Sequence, residues 1–166
     1  MVERQYDVRL ATSDDADAIS SIYNDGISDR TATLETELRT PDERRHWLAA
    51  RDERHPVIVA TSKSEVVGWA SLNIFNPRDA YRHVADISVY VARAWRGKGV
   101  GTALMKRLVD LGREHRFHKL VLAGFPINSA SMALYRRNGF RDVGIYKEQG
   151  QLDGRWVDVI VMEKLL

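Results

Sequence analysis

Between Ser88 and Leu104 the chain reads Ser-Val-Tyr-Val-Ala-Arg-Ala-Trp-Arg-Gly-Lys-Gly-Val-Gly-Thr-Ala-Leu. A β-branched run ends there, and Gly97, Gly99 and Gly101 open a segment with helical spacing. Glycine lets the backbone turn sharply and lie close to a ligand with no Cβ in the way. The N–H groups at a helix start, together with the helix dipole, attract an anion such as pyrophosphate. Arg96 and Lys98 place positive charge beside it. Gly97 to Thr102 lacks the terminal Gly-Lys-Ser/Thr of a Walker A loop, and its glycine spacing differs from a Rossmann fingerprint. These residues read as an anion-binding turn whose anion they do not name.

Other reactive side chains narrow the chemistry by exclusion. The chain has no cysteine, which removes disulfides, thiolate metal sites and a cysteine nucleophile. His46, His55, His83, His115 and His118 show no metal-ligand spacing, and the pair His115/His118 lacks the glutamate of a zincin pattern. No metal is expected. With 25 basic and 23 acidic residues the net charge is +2, too small for a dedicated nucleic-acid binder. Most of the positive charge is arginine, which suits bidentate binding of carboxylate or phosphate. The arginines of Asp42–Arg54 read as a solvated helix face.

The elements that position the turn follow from periodicity. A strand at Asp7–Leu10 leads through Thr12-Ser13-Asp14-Asp15, a capping-box pattern, into a helix carrying Ala16, Ile19, Ile22 and Tyr23. Ser28–Leu38 has no period and reads as a long connection, of the kind that often carries function. Thr40-Pro41-Asp42-Glu43 starts a second helix, with Trp47 and Leu48 on its buried side. Pro56–Ala60 and Val66–Leu72 form a hairpin across Ser62-Lys63-Ser64. A strand near Val84–Val91 feeds the glycine turn and a helix with Val100, Leu104, Leu108 and Leu111 on one face. A buried strand, Lys119–Ala123, and a short helix, Ala130–Asn138, precede a terminal hairpin, Val143–Glu148 and Trp156–Met162, turning at Asp153-Gly154. This order predicts an α/β (α+β mixed) fold with a mixed sheet flanked by helices. At 166 residues, 44% of them hydrophobic, one domain spanning 1–166 is expected. The charged start, Met1–Asp7, does not read as a signal peptide, and no apolar run approaches the roughly 18 residues of a membrane span. A cytoplasmic protein with no membrane partner is expected.

Arg96-Gly97-Lys98-Gly99-Val100-Gly101 resembles the pyrophosphate loop, Arg/Gln-x-x-Gly-x-Gly/Ala, of the GCN5-related N-acetyltransferases. Downstream, Asn128-Ser129-Ala130-Ser131-Met132-Ala133-Leu134-Tyr135 and Asn138-Gly139-Phe140 resemble that superfamily's second acetyl-CoA segment. Ile22-Tyr23-Asn24, Thr31-Ala32-Thr33, Trp47-Leu48, Asp86–Val91 and Trp156–Val159 are similar to its phosphinothricin N-acetyltransferase branch. Within that branch, Ala70–Asn73, Phe75–Tyr81 and Leu152–Trp156 look most like arsinothricin-resistance enzymes.

The resemblance implies a mostly antiparallel twisted sheet, splayed at the acetyl-CoA site, and direct acetyl transfer in a ternary complex. It implies that Val89, Tyr90 and Val91 lie along the acetyl and pantetheine arm, with a backbone N–H as oxyanion donor. Arg96, Gly97, Lys98, Gly99, Val100, Gly101 and Thr102 would hold the pyrophosphate, and Asn128 and Ser131 the pantetheine side. Tyr135 stands where the superfamily often has the acid for the departing thiolate. Asp86 and Glu35 are the two carboxylates that could take the amine's proton or bind the substrate ammonium. Arg78 and Arg82, with Phe75 and Tyr81 as walls, would hold the anionic ends of a glutamate-like substrate. Many branch members are dimers, which implies a homodimer. A methionine sulfoximine or other small-amine acetyltransferase, and a non-catalytic acetyl-CoA-binding module, are the competing readings.

Overall fold

The computed structural model describes residues 6–166. Met1 to Gln5, part of the charged start read against a signal peptide, lie outside the described residues. Seven strands form one sheet: β1 Asp7–Leu10, β2 Val57–Ser62, β3 Glu65–Ile74, β4 Val84–Val91, β5 Lys119–Gly124, β6 Arg141–Leu152 and β7 Arg155–Leu165. Four α-helices accompany them among the described residues: α1 Ala16–Asp29, α2 Pro41–Ala49, α3 Val100–Glu114 and α4 Ser129–Arg137. The strand order is β1-β2-β3-β4-β5-β7-β6. Every neighbouring pair is antiparallel except β4 and β5. Among the described residues, no helix is long and apolar enough to cross a membrane.

The local signals act as their chemistry predicts. The Thr40 hydroxyl accepts the Glu43 N–H at 3.2 Å and the Glu43 carboxylate accepts the Thr40 N–H at 2.6 Å, closing a capping box at the start of α2. Lys63 and Ser64 both take positive φ in the β2–β3 turn, and Asp153 and Gly154 do so in the β6–β7 turn, as two-residue hairpins require. The helix α1 runs on to Asp29, so the irregular connection begins at Arg30 rather than Ser28. The terminal strands are also longer than their hydrophobic runs.

Alternation along the strands divides the core between two faces. Ile58 and Ala60 of β2 pack with Ala70, Leu72 and Ile87 against Val100, Leu104 and Leu108 of α3. Val57, Val59 and Trp69 face Ile19 and Ile22 of α1. One expectation is overturned on that second face. Arg44 is not solvated: it is 8% exposed, with its guanidinium 4.4 Å from the Tyr23 ring centre and 4.7 Å from that of Trp47. Weak hydration of the planar guanidinium allows it to stack on aromatic rings. Arg51 likewise turns inward, donating to the carbonyl of His55 at 2.8 Å.

Candidate functional site

The parallel pairing of β4 with β5 covers three positions only, Val84↔Lys119, Ala85↔Leu120 and Asp86↔Val121. Beyond Asp86 the two strands part, while β4 stays paired to β3 as far as Val91↔Gly68. The Ala92 N–H donates to the Val67 carbonyl at 2.9 Å, which sets the parity of that ladder. Residues directly opposite alternate between bonded and non-bonded pairs in an antiparallel ladder. Tyr90, Ser88 and Asp86 therefore spend their backbone groups on β3. Ile87, Val89 and Val91 turn theirs toward the β5 side, where the Ile87 N–H closes the last β5 pairing and the Val91 carbonyl accepts from Arg96, so the Val89 groups and the Val91 N–H face the opening.

A cavity of about 260 Å³ fills this wedge. It gathers Asp86, Val89, Tyr90, Asn128, Ser131 and Tyr135 of the expected site. The connection after α1 adds Thr31 to Leu34, and β5 and its end add Ala123, Gly124 and Phe125. Sequence reasoning assigned no role to these, although a long aperiodic stretch was itself the signal for the first group. Leu34 anchors that connection by packing with Phe125, Leu152 and Val159.

Asp86 is the charged residue of the lining. Burial pushes its carboxyl up to about 6, and a hydrogen bond from Asn73 opposes part of that rise. Tyr135, on α4, is pushed up to about 12 by burial, with Ser131 hydrogen-bonding against the shift and the Asp86 charge adding to it. The Tyr90 hydroxyl is also raised by burial, and hydrogen-bonds Thr33. Asn128 caps α4: its Oδ1 accepts the Ser131 N–H at 3.1 Å, while its Nδ2 donates to the Thr31 carbonyl at 3.2 Å. One amide hydrogen remains for a ligand.

The glycine turn continues from the end of β4. Gly99, at φ +88, is the N-cap of α3 and carries no side chain to satisfy the first-turn N–H groups. A Cβ there would lie 2.7 Å from the Tyr6 hydroxyl, and one at Gly101 would lie 2.9 Å from Leu134 of α4. Gly97 is open on the side a Cβ would occupy. Glycine is needed at 99 and 101 for these close approaches, and the first N–H groups of α3, left without a side-chain cap, fit a pyrophosphate. Arg96 is already engaged: it pairs with Asp29 at 2.9 Å and donates to the Val91 carbonyl. Arg93 shares Asp29 at 2.6 Å, and these two arginines hold the Asp29 carboxyl below its usual range, Arg93 most.

Several expected site residues stand elsewhere. Glu35 does not line the cavity. Its carboxylate accepts the N–H groups of Thr36 at 2.9 Å and Glu37 at 3.1 Å and pairs with Arg39. Those bonds, the Glu37 N–H foremost, lower its pKa, so it knits its own loop and is a poor proton acceptor. Phe75, Arg78, Tyr81 and Arg82 are exposed on the β3–β4 connection. Phe75 and Tyr81 pack on each other with centres 5.5 Å apart, and Arg82 pairs with Asp79 at 2.8 Å. Among the described residues, no lysine or arginine lines the cavity. Among the described residues, no cluster of three metal-ligating side chains occurs.

Comparison with known proteins places this geometry. Residues 19–140 match the acetyltransferase (GNAT) family. The L-methionine sulfoximine/L-methionine sulfone acetyltransferase of Pseudomonas paraeruginosa is 35% identical, over 94% of this chain and 92% of that one. A ribosomal-protein-alanine N-acetyltransferase structure from Brucella melitensis superposes with a TM-score of 0.92 at 39% identity, over 96% and 99% of the two chains. A phosphinothricin acetyltransferase from Sinorhizobium meliloti, solved with acetyl-CoA, gives 0.90 at 29% identity, over 98% and 89%.

Proposed function

The chain belongs to the GNAT acetyltransferase family and uses acetyl-CoA, and from that premise we propose that it acetylates the α-amino group of a glutamate-analogue antimetabolite of the phosphinothricin or arsinothricin type. The observation that carries this reading is Asp86, the one carboxylate among the described residues that line a small cavity beside the free edge of β4. It suits an amine that must lose a proton before it attacks.

When bound, acetyl-CoA supplies the activated acyl carbon. The residues of the chain do the rest by direct transfer in a ternary complex. Asp86 takes the amine proton. The backbone N–H groups of β4 that face the wedge donate to the carbonyl oxygen, where negative charge develops. Tyr135 holds a proton for the departing sulfur. Gly97 to Thr102 cradle the pyrophosphate, and Arg78 and Arg82, exposed on the β3–β4 connection outside the cavity, attract the substrate's anionic ends by their charge.

One observation favours a second acceptor. The uncharged lining apart from Asp86 suits the neutral side chain of methionine sulfoximine better than a dianion. Thiol release from acetyl-CoA with arsinothricin, phosphinothricin, methionine sulfoximine, common amino acids and an alanine-initiated peptide decides between them. Turnover confined to methionine sulfoximine sinks the oxyacid reading, and no turnover on any amine leaves a binding module.

The cofactor cradle has its own test. Valine at Gly99 needs a left-handed conformation costing about 1–2 kcal/mol and meets the Tyr6 hydroxyl. Gly99→Val is expected to raise KM for acetyl-CoA roughly tenfold with a smaller change in kcat. An unchanged KM removes the turn from the cofactor site.

The proposed location is the cytoplasm, where acetyl-CoA is available, and the proposed assembly is a homodimer. Supporting the dimer, Arg141 to Gln149 of the edge strand β6 are all exposed, Val143, Ile145 and Tyr146 among them, and Trp156 of the paired strand β7 is exposed as well. An uncovered apolar edge of that length invites pairing. Light scattering should give twice the chain mass of 18.9 kDa, and the double variant Ile145→Lys/Trp156→Lys should give the chain mass itself. A wild type that scatters as a monomer ends the proposal.

A further inference from the structure

Asn73 sits opposite Asp86 in the β3–β4 ladder, so both side chains share one face of the sheet. An asparagine amide has one accepting end and one donating end. Here the accepting end is taken twice. Asn73 Oδ1 receives Arg51 Nη2 at 3.0 Å and the Ser71 hydroxyl at 3.0 Å. Arginine can only donate, and the reversed amide would press two N–H groups against a cation. The NH2 end is left facing β4, where it donates to Ser88 Oγ at 3.2 Å and stands on the side of its register partner Asp86, whose charged form it favours.

Arg51 is well placed to hold this arrangement. It also donates to the carbonyls of Leu72 and His55, and its guanidinium lies 4.7 Å from the Trp47 ring centre. Among the described residues it forms no salt bridge with a carboxylate. A partly buried cation bound to neutral acceptors polarises them, and the amide passes that polarisation to its far end.

We propose that Arg51 and Asn73 are positioning residues for Asp86: the guanidinium orients the Asn73 amide, and its NH2 group holds the carboxylate in place and favours its charged form. This rests on Asp86 being the proton acceptor. Tyr135 of α4 is the ionisable group that faces Asp86. The partner opposite it on β5 is apolar Val121, and the cavity residues from the connection after α1 and from β5 carry no charge.

Two readouts on the full chain test the idea. Aspartate carboxyls labelled with 13C would be titrated by NMR, with Asp86 assigned by its loss in Asp86→Asn. The pH profile of kcat/KM would be measured on the same variants. Asn73→Leu, similar in size but without a donor, is expected to raise the Asp86 midpoint by about one pH unit. Arg51→Met should raise it less, and Arg51→Lys should return part of the way. The double variant Asn73→Leu/Arg51→Met should shift no further than Asn73→Leu alone, because Arg51 acts through the amide. The acidic limb of the rate profile should follow each shift.

An unmoved Asp86 midpoint in Asn73→Leu overturns the proposal even if activity falls. Shifts that simply add in the double variant overturn the Arg51 part, since the guanidinium would then act by its field. A midpoint that moves while the rate profile stays put removes Asp86 as proton acceptor, and only that result reaches back to the proposed mechanism. Asn73→Leu and Arg51→Lys serve if Arg51→Met is not recovered folded.

Discussion

Replacing Asp86 with asparagine is expected to lower kcat/KM for the amine by about 10²–10⁴-fold, the range contributed by a positioned proton acceptor. The substitution keeps size and removes the charge. In the wild type, burial lifts the carboxyl to about 6. It is thus ionised at neutral pH, and activity should fall with an acidic limb near that value. In Asp86→Asn the limb should vanish with the activity. A limb that persists in the variant assigns it to another group.

The same residue makes an opposite prediction for stability. A carboxyl whose folded pKa lies above its unfolded value near 3.9 binds more protons in the native state between those two values. Stability is therefore full below pH 4, falls as pH rises through about 6, and stays reduced above it. Asp86→Asn escapes this loss, so it should melt higher than wild type at pH 8 and no higher at pH 4. A variant that is inactive and also less stable at pH 8 would point to a collapsed site instead of a missing base.

Removing the Tyr135 hydroxyl should lower kcat by about 10²-fold, the lower end of the range for a proton donor, with KM changed only a few-fold. Burial raises this hydroxyl to about 12, so it keeps its proton throughout the working range. It is a weak acid beside a thiol near 8.5 and acts chiefly by donating a hydrogen bond as negative charge gathers on sulfur. Two results follow. The wild-type rate should show no alkaline decline from this residue below about pH 10, and Tyr135→Phe should lower the plateau without reshaping it. If kcat is intact in Tyr135→Phe, the tyrosine packs on Phe140, 6.3 Å away between ring centres, and does no more.

Much of the site was legible before folding because its parts are local. A turn with glycine at 97, 99 and 101 before an apolar helical period has few other uses, and the capping pattern at Thr40–Glu43 needs only four residues. The strand bearing Asp86, Val89 and Tyr90 is equally plain from its β-branched residues. Asp86 was picked out because it stands in a segment that resembles a known family, just before the acetyl-arm residues Val89 to Val91. That resemblance also located Asn128, Ser131 and Tyr135, which no periodicity marks.

Burial and partnership were not legible, because they depend on what the rest of the chain brings to a residue. Glu35 and Asp86 are both acids near a plausible site. Only the fold shows that one is bound by its own loop and Arg39 while the other stands desolvated in a wedge. Arg44 and Arg51 fall in a run that looks like a solvated helix face. Trp47, Trp69 and Tyr23 converge from three separate elements on Arg44, while Arg51 lies over Trp47 and donates to the His55 carbonyl and Asn73. Asn73 reads as one polar residue just past the strand Val66–Leu72 until the register sets it across from Asp86. The sequence by itself determined the elements, the glycine turn and the family. The tertiary structure decided which charged groups are paired, which are buried, and so which of them can move a proton.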